Sequence, residues 1–521
     1  MSEDKKKDAP SIPDRPFRIA VTVPSLCDTG RMDDVFDRFG LDKFRAVWES
    51  GSGTILSPGP AIDLLTEGKK DGRLEALGWV LGQDLEINLV SRHSAFTAPR
   101  VLKSVASYGV ELARAVLVSG DDVFPFLPDI APDVVITTSK STARRASKAG
   151  YRSAVVTPAP FKPLDEMSVR RLDRQVSEAR SAIAATLPMT VVVSAPALFD
   201  LGEATRVFDE KGLDAYREWM LGREEPLRPG PAFPQVQNLL KINEAERLAG
   251  RPEPFAVCLV SRNDVETSIP VIRSMKHYGM GGMEAIWTAG GDTVPHILAR
   301  NPDLSLTANP ETSKRLIEKG VASAALSQVV SPEDPSGMLS NTTVIILDFD
   351  EVVAAGSEKI YKEQGLDGFR AHERKNADVP MAEGPFMKVV LAFAAMNEYA
   401  KAFPDTAGRP AFEFEMTIIT ARGADAMDRT LTTMVHNNVA VKRVIFNNGV
   451  PKNGMIVAAA AGRPAILLDD GQYHIDALAA LVESEGLCLA GAVVPSGPRH
   501  EPDADVGHGF TGDAPRVRRT P

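Results

Sequence analysis

Two aspartates one residue apart, Asp348 and Asp350, follow the apolar run Val344–Leu347. Carboxylates spaced i, i+2 at a strand end point the same way. The first of such a pair can attack phosphorus, and the second can protonate the leaving oxygen and later take a proton from water. Three more signals follow in the same order as the apolar runs. Thr420 ends the run MTIIT, Lys452 stands in the loop NNGVPKNG, and Asp469 and Asp470 close the run AILLDD. A hydroxyl and an ammonium suit phosphate oxygens. Adjacent acids behind a buried strand call for a cation, and Mg²⁺ takes hard oxygen ligands of this kind. Singly, each signal is weak, because Asp-x-Asp also caps helices and most lysines are merely solvated. Together they supply the parts that phosphoryl transfer needs.

Apolar runs rich in Val, Ile and Leu, alternating with amphipathic stretches, predict parallel strands covered on both faces. All the chemical groups then fall at carboxyl ends of strands, the edge where open α/β sheets bind ligands. The order of signals occurs three times. The copies open at Arg18–Phe44, Thr190–Tyr216 and Val344–Phe369, each with a strand, a loop and a helix ending in Gly-Leu-Asp. A Gly-Pro pair follows in LSPGPA, LRPGPA and MAEGPF, and then a strand ending at Arg92, Arg262 or Arg422. The sequence therefore predicts an α/β protein of three tandem Rossmann-like units with parallel sheets, only the last catalytically complete. A tail at 1–15 precedes units at 16–157 and 189–330, joined by a linker helix at 158–188; the catalytic unit spans 341–494, and a disordered tail 495–521. Aligned on Gly-Leu-Asp, Asp348 and Asp350 fall on Ala195 and Ala197 in the second copy and on Val23 and Ser25 in the first. Asp469 and Asp470 fall on Thr307 and Ala308, and on Thr137 and Thr138. Neither early copy can supply the carboxylates.

Composition narrows the class. Lys plus Arg number 59 and Asp plus Glu 69, a formal net charge of −10, which argues against general nucleic-acid binding. The three cysteines, Cys27, Cys258 and Cys488, are too sparse for a disulfide framework and suit a reducing compartment. The amino-terminal residues lack a signal-peptide core, and no apolar run is long enough to span a bilayer. A cytoplasmic protein without nucleic-acid or membrane partners is expected.

The series DFDEVVAAGSEKIYKEQGLDGF, ITARGADA, GVPKNG and ILLDDGQYHIDA resembles the haloacid dehalogenase superfamily. Adding SAPALFDLGEATRVFDEKGLDAY, LRPGPAFP and SMKHYG, residues 190–494 resemble the cytosolic 5′-nucleotidase type I family. The resemblance implies Mg²⁺-dependent hydrolysis of nucleoside 5′-monophosphates such as AMP. It implies Asp348 as nucleophile, Asp350 as general acid and base, and Thr420 and Lys452 on the phosphoryl group. It puts Mg²⁺ on Asp348, the Asp350 carbonyl and Asp469, with Asp470 adjacent. Phe349, Ala421 and Arg422 flank the phosphate site on this reading, and Arg262, Asn263 and Asp264 of the second copy are candidates to frame the substrate; the recurrence of Arg92, Arg262 and Arg422 in the three copies also allows that Arg262 and Arg422 brace the fold instead. Two departures stand out: the family does not ordinarily carry the first copy, and Asp292 stands where similar proteins tend to have lysine. Two other readings stay open, a phosphatase of another small phosphomonoester and a nucleotide-binding sensor with weak catalysis. A nucleotide effector and homo-oligomerisation are left open too.

Overall fold

Runs of Val, Ile and Leu that are buried on both faces form strands only where helices cover both sides of the sheet. In the computed structural model these runs build two compact units that divide near residue 170. The structure describes residues 15–29, 55–62, 85–94, 96–157, 188–327, 341–401, 411–485 and 488–500, with single positions at 35, 38, 44, 48 and 65 and the pair 403–404. Residues 1–14, nearly all of the expected linker helix 158–188, and residues 501–521 lie outside the described residues.

The first unit holds β1 (Phe17–Val21), β2 (Leu85–Ser91), β3 (Arg114–Leu117), β4 (Val134–Thr137) and β5 (Arg152–Val155). They are all parallel, in the order β5-β4-β1-β2-β3.

The second unit contains two such sets. One comprises β6 (Met189–Ser194), β7 (Phe255–Ser261), β8 (Glu284–Trp287), β9 (Leu304–Thr307) and β10 (Ala322–Ser327). The other begins with β11 (Thr342–Leu347), followed by the small hairpin β12 (Ala354–Ala355) and β13 (Ala382–Glu383). It continues with β14 (Glu413–Thr420), β15 (Arg443–Phe446), β16 (Ala465–Asp469) and β17 (Leu489–Val493). The orders are β10-β9-β6-β7-β8 and β17-β16-β11-β14-β15, each internally parallel. The protein is thus α/β with a large, mostly parallel sheet. One antiparallel pair, β10 on β17, joins the two sets, with Ala325 opposite Val493 and Ser327 opposite Gly491. Everything in the second set therefore runs opposite to the third.

The recurrent Gly-Pro pair has a steric cause. A Cβ on Gly59, Gly230 or Gly384 would stand 2.6, 2.8 or 2.5 Å from the backbone of the loop after its set's first strand. Only glycine lets the two segments approach so closely. The Gly-Leu-Asp signature ends a helix as expected: within Gly202–Leu221 and Ser357–Lys375 the non-helical Gly212, at φ 81°, and Gly365, at φ 68°, close one helical segment before the next begins. Among the described residues, no helix is long and apolar enough to cross a membrane.

At the amino end of β14, Glu415 accepts from Arg463 at 2.7 and 3.0 Å, from Lys442 at 2.9 Å and from Arg443 at 3.3 Å. Burial opposes its charge, but Arg463 and Lys442 outweigh burial and hold the carboxyl down at about 2, from an ordinary 4.5. A depressed carboxyl stabilises the fold above its unfolded value, and that stability is lost as pH falls through the folded value. Glu415→Gln should therefore lower the unfolding free energy in urea by about 2 kcal/mol at pH 7. The deficit should shrink between pH 4.5 and pH 2. A deficit that does not change with pH would assign the loss to packing rather than to the ion cluster.

Candidate active site

Asp348 leaves β11 with its main-chain N–H on Leu468 O of β16 at 2.8 Å, which locks the two strand ends together. Its carboxylate meets Asp469 and Asp470, and ligand oxygens of all three lie within 4.8 Å of one another, all buried. Lys452 sits among them, with Nζ 2.8 Å from Asp348 Oδ2 and 2.9 Å from Asp469 Oδ2. Gly471 N–H donates to Asp469 Oδ1 at 2.8 Å, and Phe349 N–H to Asp348 Oδ1 at 2.7 Å. Burial, with Asp469 nearby, pushes Asp348 up to about 7 even though Lys452 pulls the other way. Burial also opposes charge on Asp469, but Lys452 and then His474 overcome it and hold that carboxyl below its ordinary value. Lys452 is raised, because Asp348 and Asp469 outweigh its own burial.

Three carboxylates against one ammonium leave a buried excess of negative charge. Hard oxygens at this spacing suit a small divalent cation such as Mg²⁺, so the residues present fit the implied metal. Such a cluster can hold a cation beside a carboxylate nucleophile. Asn447 shapes the lysine loop, donating from Nδ2 to Val450 O at 2.6 Å and to Pro451 O at 3.1 Å.

Asp350 points elsewhere, and its carboxylate is not one of the three. Arg422 Nε reaches its two oxygens at 3.1 and 3.0 Å, Arg422 Nη2 reaches Oδ1 at 2.8 Å, and the Ser357 hydroxyl donates to Oδ1. Burial opposes the charge of Asp350, yet Arg422 wins and its carboxyl lies below the ordinary value. The same guanidinium donates to Glu373 Oε2 at 2.5 Å, and Arg429 donates to Glu373 Oε1 at 2.7 Å.

The structure brings Asp348, Asp350, Thr420, Ala421, Arg422, Lys452, Asp469 and Asp470 to one edge of the third set. Thr420 is buried at the end of β14, where its Oγ1 accepts from Arg422 N at 3.2 Å. Ala421 O accepts Gly449 N–H at 2.9 Å, tying β14 to the lysine loop. Two expectations change. Arg422 is not a free phosphate contact, since its guanidinium is spent on Asp350 and Glu373. The Phe349 ring is fully buried, its centroid 5.3 Å from Arg422 Cζ, so the side chain packs beneath the site.

A third correction concerns the second set. Arg262, Asn263 and Asp264 follow β7, which lies six strand positions from β11. Because β10 and β17 are antiparallel, the carboxyl ends of the two sets lie on opposite edges of the sheet. The three residues thus lie on the edge opposite the acid cluster, and Asn263 and Asp264 brace their own loop. Asn263 Nδ2 donates to Tyr216 OH and Thr267 O, both at 3.0 Å. Asp264 accepts Thr267 N–H and Oγ1 at 2.8 Å and Arg217 Nη2 at 3.0 Å. Asp292 is paired with Arg315 at 2.6 Å.

Residues 495–500, expected to begin the tail, are placed beside the site. Ser496 donates to Glu351 O, and His500 donates to Asp470 O at 2.9 Å. Ser357, Glu373 and Arg429 were likewise not foreseen. For Glu373 the repeat held a signal, because the equivalent positions in the other copies are Trp48 and Met220.

A sequence model described as 5′-nucleotidase matches residues 11–172 and 181–490. The first segment, read from sequence as an addition, is itself within that match. Human cytosolic 5′-nucleotidase 1B is 27% identical over 293 residues, covering 55% of this chain and 47% of the relative. The chain thus spans about half the length of that curated relative.

Proposed function

The chain belongs to the 5′-nucleotidase family, and from that premise we propose that it hydrolyses nucleoside 5′-monophosphates to nucleoside and phosphate with Mg²⁺. The observation that carries this reading is the meeting of Asp348, Asp469 and Asp470 around Lys452. Asp348, Asp469 and Asp470 would hold the cation, with the Asp350 main-chain carbonyl. When bound, it would offset charge on the phosphate and on the attacking carboxylate.

Asp348 attacks phosphorus and forms an aspartyl-phosphate while the bond to the 5′-oxygen breaks. Asp350, ionised on Arg422 in this arrangement, takes a proton from solvent and gives it to that oxygen, then takes one from the water that attacks phosphorus and frees Asp348. For this Asp350 must release an oxygen from Arg422, which holds both in the present arrangement. Lys452 and the Thr420 hydroxyl bind the oxygens of the transferring group. The relative's name supports a cytosolic setting. The shared strand order of the three sets supports reading them as tandem copies of one Rossmann-like unit, with chemistry in the last alone.

Phosphate release measured on the common nucleoside 5′-monophosphates and on simple sugar phosphates tests this. Turnover of the nucleotides should need Mg²⁺ and stop with EDTA. Equal rates on AMP and sugar phosphates would reject the nucleotide assignment.

A further inference from the structure

The chain after β17 crosses both loops that carry the acid cluster. Val494 N–H donates to Asp469 O at 2.9 Å. The Ser496 hydroxyl donates to Glu351 O in the loop that follows Asp348 and Asp350. Gly497 lies directly on Glu351, where a Cβ would stand 2.6 Å from its Cγ. His500 Nε2 then donates to Asp470 O at 2.9 Å, and His500 O accepts Lys314 Nζ at 2.6 Å. Lys314 comes from the second set, on helix Pro310–Glu318.

Glu351 marks the loop as strained, since its φ is 57°, in the left-handed region that non-glycine residues rarely adopt. Such a backbone persists where its surroundings hold it. Ser496 holds the Glu351 carbonyl, and Gly356 N–H holds its carboxylate at 2.9 Å. The chemistry described above uses none of these contacts. Asp348 and the Asp469–Asp470 pair rise from different strands, so their spacing depends on what ties the loops past the strand ends.

We propose that Val494–His500 is a positioning strap that fixes the spacing of the Asp348 and Asp469–Asp470 loops, and through it the affinity of the acid cluster for its divalent cation. Ser496 and His500 are its two fastenings, and Lys314 braces it from the second set. The inference rests on the Mg²⁺ reading above.

The test uses the full chain with His500→Leu, His500→Gln and Ser496→Ala. Mg²⁺ affinity is measured by titration calorimetry and amide hydrogen exchange in metal-free protein, with Asp469→Asn as the variant that abolishes Mg²⁺ binding. Loss of an outer partner of a metal ligand weakens binding by roughly 10- to 100-fold, and His500→Leu should do so. His500→Gln keeps a donor and should stay near wild type. Exchange should quicken at residues 469–472 in His500→Leu and at 351–356 in Ser496→Ala. Wild-type Mg²⁺ affinity and exchange in both His500→Leu and Ser496→Ala would overturn the strap. A wild-type protein that binds no Mg²⁺ would overturn the metal reading instead, and the exchange pattern would still decide whether the strap holds the loops.

Discussion

Asp348→Asn should lower phosphate release by roughly 10⁴-fold or more while leaving the fold intact. The amide keeps the shape and a hydrogen-bond acceptor but cannot attack phosphorus. Stability should not suffer, because the replaced carboxylate is held against its tendency to neutralise. Burial and Asp469 push it up to about 7. Lys452 keeps its other partner, Asp469, at 2.9 Å. The melting temperature without metal should match wild type within about 2 °C or exceed it. Steady-state phosphate release and a thermal melt check both halves. An Asn variant that still turned over would move the nucleophile elsewhere.

The second large effect concerns Arg422, whose side chain is 1% exposed. Arg422→Ala would strand Asp350 and leave Glu373 with Arg429 alone. Removing one partner of a buried ion pair costs about 3–5 kcal/mol, because the remaining charge stays out of water. Urea unfolding should show a loss of that order at neutral pH. Asp350 has its carboxyl lowered in the fold, so its share of stability is present above the ordinary value of 3.8 and is lost as pH falls through the folded value. The gap between wild type and variant should therefore narrow below pH 3.8. Turnover should fall by at least about 10²-fold, since a misplaced proton shuttle loses its geometry. Arg422→Lys keeps the charge without the planar fork and should fall between. Lost turnover with wild-type stability would instead make Arg422 a substrate contact.

That contrast shows where sequence reading stops. Asp348, Asp469, Asp470, Lys452 and Thr420 were legible because each ends a strand or stands in the loop after one, and parallel strands deliver such positions to one edge. Nothing local distinguishes an arginine that faces a ligand from one that clamps a neighbour. The difference for Arg422 lies in Glu373, 49 residues earlier on the helix Ser357–Lys375. Glycine's steric role explains why Gly-Pro recurs, and that too was visible only as repetition. The hold of residues 496–500 on the acid loops was hidden because a stretch rich in Pro, Gly and Arg reads as tail. The direction of the second set was equally hidden. Periodicity gives strands and their faces but not which edge meets which, and the β10–β17 pairing decides it.

The reversed seam at β10–β17 has a consequence for where substrate preference would be set under the proposed function. Loops at the carboxyl ends of the second set, around 261–264, are turned away from the acid cluster and stand about 29 Å from β11 when measured across six strand spacings. Substitutions there are poorly placed to alter base preference directly. The second set's neighbours of the catalytic mouth are the connections entering its strands and the helix bearing Lys314. Under the proposed function, determinants of specificity belong on that rim, and the second set stands with its back to the acid cluster.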